Sequence, residues 1–205
     1  MQIAVIAWGS LIWCPGCLRI KTRWRSDGPA LPIEFARISG DGRLTLVIHL
    51  KSPQVRTYWA VSELETLLEA RRNLENREGT CLKYIHSLSV DGQSEGEIPP
   101  HISATIGAWL TSTKNVQAAI WTGLSSNWET KRCREFTHED ALQYVSELER
   151  AAGQAKATYD RAHEYISNAP SQTQTPIRKI VREKIGWADA ELPSILFEAG
   201  MGKQK

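Results

Sequence analysis

The chain has 205 residues, of which 41% are hydrophobic and 23% are charged, and its formal net charge is +2. This length is typical of one globular domain with a substantial core, and the composition excludes a wholly disordered chain. A net charge this close to neutral argues against a general nucleic-acid-binding or membrane-surface protein.

The first part of the sequence predicts a succession of strands. Residues 2–7 are an apolar run that predicts a buried strand. Residues 31–39 predict a second strand, and residues 43–50 alternate like its returning partner in a hairpin, with a Gly-Asp-Gly turn between them. Residues 55–61 predict a further strand.

Helices are expected from Ser62 onwards, with one further strand among them. Ser62, followed by acidic residues and leucines at helical spacing, predicts a capped helix start. Residues 102–110 predict another helix, and residues 116–121 predict a strand. Thr137 predicts the start of a long polar helix that ends near Asn168.

A last basic helix is predicted to open at Thr175-Pro176, with proline in its first turn. The predicted strands are therefore concentrated in the first 125 residues, and the last 70 or so are predicted to be helical. This order predicts an α+β fold: a small mixed or antiparallel sheet or barrel of about five to seven strands, with peripheral helices. We expect a single domain over residues 1–205, with a core over residues 1–125 and a C-terminal helical extension over residues 137–190.

The first candidate functional feature is the loop Trp8-Gly9-Ser10-Leu11 at the end of the first predicted strand. Glycine permits a sharp turn and lets a ligand approach the main chain closely. Successive N–H groups in such a turn can hold a carboxylate or an oxyanion. The alternative is a tight strand exit without function, because a single glycine is a weak signal.

The second feature is Glu78, which stands immediately before Gly79 at a predicted helix end. A carboxylate there opposes the helix dipole, which raises its pKa and makes it a candidate for proton transfer. The alternative is an ordinary surface ion pair with Arg77 or Lys83.

Taken together, the two features resemble the gamma-glutamylcyclotransferase-like superfamily. The loop Trp8-Gly9-Ser10-Leu11 is similar to the superfamily's Tyr-Gly-Ser-Asn or Tyr-Gly-Ser-Leu loop. The segment Leu74-Glu75-Asn76-Arg77-Glu78-Gly79 is similar to its Leu-Asp-x-x-Glu-Gly element. The resemblance covers roughly residues 3–122 and does not explain the C-terminal helices.

The resemblance implies an enzyme that cyclises a gamma-glutamyl amide to 5-oxoproline and releases an amine or amino acid, without a cofactor. Glu78 would be the general acid/base, and the backbone of Gly9, Ser10 and Leu11 would hold the glutamyl part. One carboxylate can take the proton of the attacking nitrogen and return it to the leaving amine. Trp8 replaces the superfamily's tyrosine, so that phenolic donor is missing at this position.

Other charged side chains are candidates for the same site. Glu34, in the predicted strand over residues 31–39, is the rival acid, and a structural pairing with an arginine is its alternative explanation. Arg37 and Arg43 are both suited to bind a substrate carboxylate, and the sequence does not choose between them.

Cys14 and Cys17 have the spacing of a redox dithiol. No convincing helix follows them, and a zinc site would need a second pair, which the isolated Cys81 and Cys133 do not supply. We therefore expect free cysteines in a loop and no metal site.

The expected setting is cytoplasmic. The cysteines are too sparse for a disulfide scaffold, and neither a leader peptide nor a membrane span is recognisable. We expect a small-molecule amide as the partner, with neither nucleic acid nor a membrane. The eight tryptophans would also suit the interface of a homodimer.

Two other classes of function remain open. One is a non-catalytic module that holds an anionic small molecule or a partner's tail between Gly9 and Glu78. The other is a dithiol oxidoreductase at Cys14 and Cys17. A pocket that brings Glu78 to the Gly9-Ser10 loop would favour the enzyme, whereas the oxidoreductase requires a thiol with a strongly lowered pKa.

Overall fold

The computed structural model describes residues 1–198, which form eight strands, six α-helices and two short 3₁₀ turns. The strands are β1 (Ile3–Ala7), β2 (Ala30–Ile38), β3 (Leu44–Ile48), β4 (Gln54–Arg56), β5 (Tyr58–Val61), β6 (Ile85–Ser89), β7 (Ser94–Glu95) and β8 (Ala118–Thr122). The helices are α1 (Leu67–Glu78), α2 (Pro100–Ser112), α3 (Trp128–Arg132), α4 (His138–Arg150), α5 (Lys156–Ser167) and α6 (Pro176–Lys184). None of the described helices combines the length and apolar character that crossing a membrane requires.

The strands form two sheets. The larger is mixed, with the order β5-β1-β8-β6-β7, and β1 runs parallel to β8 but antiparallel to β5. The smaller is antiparallel, with the order β3-β2-β4. The mixed α+β class is therefore confirmed. The barrel alternative is wrong, because both sheets of the described chain are open. The number of strands is eight instead of the predicted five to seven, and two of the eight, β4 and β7, are only three and two residues long.

Strand β1 lies at the centre of the molecule and is buried on both faces. Its even-numbered residues belong to the apolar cluster that also includes the β2–β3 hairpin and the C-terminal helices. Its odd-numbered residues belong to a second cluster with helix α1. Burial on both faces explains why this strand is a continuous apolar run. The loop that follows it consequently begins inside the core.

Several predicted elements match the structure to within a few residues, namely β1, β2, β3, β8, α2 and α6. Gly42 has a φ of 84° in the hairpin turn, a conformation that favours glycine. Thr137 and Thr175 cap α4 and α6, with Oγ1 accepting from Asp140 N at 3.1 Å and from Arg178 N at 3.3 Å. These caps are local side-chain-to-backbone contacts, which is why the sequence predicts them.

The predicted strand over residues 55–61 is divided at Thr57. β4 pairs with β2 in the smaller sheet, whereas β5 pairs with β1 in the larger one. Thr57 is fully buried, and its Oγ1 donates to Pro29 O at 2.7 Å. The chain therefore changes sheets at a buried, hydrogen-bonded residue, an event that alternation alone does not reveal.

Two helix predictions are wrong, one in its start and one in its continuity. Helix α1 begins after Thr66, whose Oγ1 accepts from Glu69 N, whereas Ser62 donates its N–H to Ile3 O at the sheet edge. The single long helix expected from Thr137 is two helices, α4 and α5, separated by turns over residues 151–155. That segment contains Gly153, which disfavours a helix interior.

Strands β6 and β7 and helix α3 were not predicted. β6 contains His86, Ser87 and Ser89, so its sequence lacks the alternation of apolar and polar residues that predicts a strand. Its first four residues are nevertheless buried, and the strand lies between β8 and β7. The C-terminal helices pack on the smaller sheet, with α5 against β3 and α6 against β2. This packing brings α5 to the end of β1.

Candidate functional site

A cleft of about 190 Å³ lies where β1 ends beside the β2–β3 hairpin. Its walls are the loop over residues 8–11, the hairpin, the C-terminal end of α1, the end of β8 and one side chain from α5. The structure thus places six of the sequence-predicted site residues around one cavity, namely the four loop residues, Glu78 and Arg37.

The loop after β1 is held tightly. Gly9 O and Ser10 O accept from the N–H groups of Ile12 and Cys14 at 3.0 and 2.8 Å, which forms compact turns. Trp8 is 6% exposed, and its Nε1 donates to Leu46 O at 3.3 Å, so its indole anchors the loop to the hairpin. The backbone of the loop is therefore pre-organised at the cleft wall.

Glu78 is the last residue of α1, and Gly79 ends the helix in the left-handed conformation with a φ of 59°. The Glu78 side chain is only 18% exposed and lies 3.1 Å from Arg77 Nη1. Burial raises the pKa of Glu78, while the charges of Arg77 and Arg43 oppose that rise. Glu78 is thus a mostly buried carboxyl at the cleft, and its partner is Arg77 rather than Lys83.

Arg77 joins the two sequence-predicted motifs. Its Nη1 donates to Glu78 Oε1, and its Nη2 donates to Cys14 O at 2.6 Å and to Ser10 Oγ at 3.3 Å. One guanidinium therefore fixes the distance between the acid and the loop. The sequence marks Arg77 only as a neighbour of Glu78, because its contacts to the loop are long-range.

Tyr165, on α5, is a site residue that sequence reasoning missed. Its Oη lies over Gly9, so close that a Cβ on that glycine would be 2.6 Å from it. Tyr165 is 7% exposed and makes backbone hydrogen bonds with Leu46 and Ser10. Burial, followed by the charge of Glu78, raises the pKa of Tyr165 to about 12, so its phenol keeps its proton and can donate it in a hydrogen bond.

Tyr165 lies outside the part of the chain that resembles the superfamily, and no local pattern marks it. Its ring meets Trp13 edge-on at 5.4 Å and Phe35 at 6.3 Å. A phenol thus reaches the loop from a distant helix, whereas position 8, where the superfamily has tyrosine, holds an indole.

Arg37 and Arg43 both line the cleft on the hairpin wall. Arg37 Nη1 donates to Ser125 O at 2.7 Å, and burial lowers the pKa of this guanidinium. The Arg43 guanidinium lies 5.2 Å from the centre of the Tyr165 ring, and its Nε is buried without a hydrogen-bond acceptor among the described residues. Arg37 and Arg43 therefore add positive charge to the hairpin wall of the cleft.

The rival acid Glu34 does not line this cleft. It is fully buried beneath α4 and α6, where it accepts from Phe35 N at 2.7 Å and from Ile177 N at 3.4 Å. His138 Nε2 lies 3.3 Å from its carboxylate, so the side chain that contacts Glu34 is a histidine rather than the expected arginine. Burial raises the pKa of Glu34 despite these contacts. Glu34 serves to attach the C-terminal helices to β2.

Cys14 and Cys17 lie in the loop that leaves the cleft and are exposed, unbonded thiols, as are Cys81 and Cys133. Neither Cys14 nor Cys17 stands at a helix N-terminus, the setting that lowers the pKa of a redox thiol. Within residues 1–198, no three His, Cys, Asp or Glu side chains are grouped as metal ligands would be.

Comparison of the chain with protein-family models, with curated proteins and with solved structures found no significant match. The resemblance carried by the two motifs therefore stays a prediction. What the cleft does must be judged from its own geometry and chemistry.

Proposed function

We propose that the cleft binds a gamma-glutamyl amide and converts its glutamyl part to 5-oxoproline with release of an amine. The supporting observation is the position of Glu78, a mostly buried carboxyl of raised pKa at the cavity that the Gly9-Ser10 backbone lines. A carboxyl whose pKa approaches the working pH is well suited to accept and return a proton.

In the proposed reaction, Glu78 takes a proton from the substrate's α-ammonium group. The neutral nitrogen then attacks the γ-carbonyl carbon, and the new C–N bond closes the five-membered ring. The amide C–N bond breaks as Glu78 returns its proton to the leaving nitrogen. The ring nitrogen then gives up its second proton to Glu78, which passes it to the released amine, so that 5-oxoproline and a protonated amine leave and Glu78 is a carboxylate again. One C–N bond forms and one breaks, so the step consumes neither water nor an oxidant.

Charge develops on the carbonyl oxygen as the nitrogen attacks, and hydrogen-bond donors fixed beside it lower the barrier. We assign this role to the loop backbone around Ser10 and to the phenol of Tyr165. Arg77 contacts both Glu78 and the loop and so fixes their relative position. These are the chain's own groups, and the reaction needs no cofactor.

A non-catalytic binding module remains the second candidate. The observation in its favour is the 3.1 Å ion pair between Arg77 and Glu78, because a carboxylate engaged in such a pair is a weaker base. The dithiol oxidoreductase has no comparable support, since its two cysteines lie exposed in a loop.

The test is 5-oxoproline release by the purified protein from gamma-glutamyl amino acids, gamma-glutamyl peptides and gamma-glutamyl amines, measured by mass spectrometry. Each donor is incubated without protein to subtract spontaneous cyclisation. Release from at least one donor class supports the enzyme. Binding without release from any donor would support the binding module instead.

We expect kcat/KM to fall on the acidic side as Glu78 becomes protonated, because only its carboxylate can accept the α-ammonium proton. Burial raises the pKa of Glu78 above its ordinary value of 4.5, so the fall should begin at a higher pH than for an exposed glutamate. The measurement is a pH–rate profile with two donors of different leaving groups, which separates enzyme from substrate ionisation. A rate that is constant down to about pH 4 would contradict the assignment of Glu78 as base.

Replacing Tyr165 by phenylalanine is expected to lower kcat about a hundredfold, because it removes a donor at the developing oxyanion. Tyr159→Phe is the matched control, since this tyrosine lies on the same helix but contacts His163 and Trp187 instead of the cleft. The measurement is the steady-state kcat of both variants and the wild type. An equal decrease of kcat in the two variants would refute the role of Tyr165.

A further inference from the structure

The turn of the β2–β3 hairpin is tied to the C-terminal helices by polar contacts. Tyr144, on α4, donates its Oη hydrogen to Gly42 O in that turn. Arg161, on α5, places its Nε 3.1 Å from Asp41 Oδ2. Because α5 also carries Tyr165, the same helix contacts the hairpin turn and supplies the phenol at the cleft.

Asp41 lies between two arginines. Its Oδ2 meets Arg161, and its Oδ1 lies 3.6 Å from Arg43 Nε. The second separation is longer than a hydrogen bond, so this contact depends on charge. Burial acts to raise the pKa of Asp41, but a hydrogen bond from Ser39 and the charges of the two arginines outweigh it and lower that pKa. Asp41 is therefore a carboxylate at neutral pH and attracts both cations.

Arg43 connects this turn to the cleft. Its guanidinium carbon lies 5.2 Å from the centre of the Tyr165 ring, and its side chain lines the cavity together with Glu78. Burial raises the pKa of Glu78 and of Tyr165, and the positive charge of Arg43 opposes the rise in both. The position of this one guanidinium therefore affects the two groups to which we assign proton transfer and hydrogen-bond donation.

The charges around Glu78 come from three elements. The ionisable side chains that line the cavity with it are Arg37 and Arg43 on the hairpin, Arg77 on α1 and Tyr165 on α5. The described lining from the loop over residues 8–11 and from the end of β8 adds no ionisable side chain. Asp41 is not among the described residues whose charge acts on Glu78, so its influence is expected to pass through Arg43.

We propose that Asp41 is a positioning residue, which holds the Arg43 guanidinium at the cleft and joins it to α5 through Arg161. Asp41 does not line the cavity itself and acts only through Arg43. The C-terminal helices then contribute to the site in two ways, because they supply Tyr165 and anchor the turn that carries Arg43. This role rests on the proposed function and adds a residue outside the cavity to it.

Loss of the Asp41 charge has two effects on Glu78, and their signs are opposite. Removal of a negative charge would by itself lower the pKa of Glu78. Release of Arg43 from the cleft would raise that pKa, because an opposite charge is lost. We expect the rise, since Arg43 lines the cavity and Asp41 does not. The direction of the change therefore separates positioning of Arg43 from a direct effect of the Asp41 charge.

The test variant is Asp41→Asn. In the wild-type turn Asp41 Oδ1 accepts from Arg43 N at 3.4 Å, and asparagine can keep this contact but cannot attract a guanidinium by charge. The readout is an NMR pH titration of the glutamate side-chain carboxyl carbons, with Glu78→Gln identifying the Glu78 signal. We expect a higher titration midpoint of Glu78 in Asp41→Asn than in the wild type, and an equal or larger rise in Arg43→Gln.

Kinetics and a double variant test whether the effect passes through Arg43. We expect kcat for 5-oxoproline release by Asp41→Asn to fall about tenfold, because the groups of the site lose part of their alignment. The acidic limb of its pH–rate profile should move to higher pH, in the same direction as the NMR midpoint. In the Arg43→Gln background, Asp41→Asn should raise the midpoint no further, since the guanidinium that it holds is absent.

Asp91→Asn is the matched control, because Asp91 occupies the same position in the turn of the β6–β7 hairpin. Its Oδ1 accepts from Gln93 N at 3.2 Å, and the following Gly92 has a φ of 86°, against 84° for Gly42. Asp91 is exposed and lies outside the cleft lining. Asp91→Asn should therefore leave both the midpoint and kcat at their wild-type values.

An unchanged or lower midpoint in Asp41→Asn would overturn the proposal. A rise that persists in the Arg43→Gln background, or an equal rise in Asp91→Asn, would overturn it as well. The NMR titration needs no substrate, so it decides whether Asp41 positions Arg43 even if no donor releases 5-oxoproline. That absence of release would overturn the proposed function instead.

Circular dichroism and thermal melting establish that each variant is folded. If Asp41→Asn does not fold, Asp41→Ser takes its place, because a serine hydroxyl can make the same turn contact without a charge. The comparisons with the wild type, Arg43→Gln and Asp91→Asn then apply to the serine variant.

Discussion

Replacing Glu78 by glutamine is expected to lower kcat for 5-oxoproline release about a thousandfold. Glutamine has the same shape but cannot take the proton of the attacking nitrogen. The loss should appear in kcat and not mainly in KM, because proton transfer belongs to the transition state. The measurement is 5-oxoproline formation at saturating donor, wild type beside variant.

The fold of this variant should be preserved. Burial raises the pKa of Glu78, which means that the folded state disfavours its charged form. A neutral side chain at the end of α1 also removes an unfavourable interaction with the helix dipole. We therefore expect the melting temperature of Glu78→Gln to be no lower than that of the wild type.

Glu75→Gln is the control for a glutamate on the same helix, since Glu75 lies outside the cleft lining. It should retain wild-type kinetics. If Glu78→Gln also released 5-oxoproline at the wild-type rate, the base would be another group, and Glu34 would not be that group because it is buried away from the cleft.

The second large effect concerns stability. Glu34→Ala is expected to lower the free energy of unfolding by about 3 kcal/mol. The substitution leaves the N–H groups of Phe35 and Ile177 without their buried acceptor and removes the carboxylate that contacts His138. Urea unfolding measures the change, and Glu135→Ala, at an exposed position before α4, is the control.

The pH dependence of this effect has a defined sign. Burial raises the pKa of Glu34 above its ordinary value of 4.5, so the folded state binds this proton more tightly than the unfolded state. The contribution of Glu34 to stability should therefore decrease as the pH rises from the ordinary value through the folded-state value. A difference between wild type and Glu34→Gln that does not change over this range would contradict a raised pKa.

Loss of Glu34 should also reduce catalysis, although Glu34 touches no part of the cleft. It attaches α4 and α6 to β2, and α5, which carries Tyr165, lies between these two helices along the chain. A Glu34→Ala protein that is still folded at the assay temperature should show a lower kcat than the wild type, because Tyr165 is held less firmly over Gly9.

The features that can be predicted from the sequence are those that depend on local interactions. The apolar run of β1, the hairpin with Gly42 at its turn, and the capping threonines of α4 and α6 all depend on residues within a few positions of one another. The loop after β1 and Glu78 before Gly79 were also recognisable, because each is a short contiguous motif at the end of an element.

How these parts meet depends on contacts between segments that are distant in the sequence. Tyr165 reaches Gly9, Arg77 reaches Ser10, and Glu34 meets His138 through contacts between segments far apart in the chain. The change of sheet at Thr57 likewise depends on which strand lies nearest in space. Such contacts produce neither a periodic pattern nor a short motif in the sequence. Their free energy comes from burial and hydrogen bonding, which arise only when the whole chain is packed.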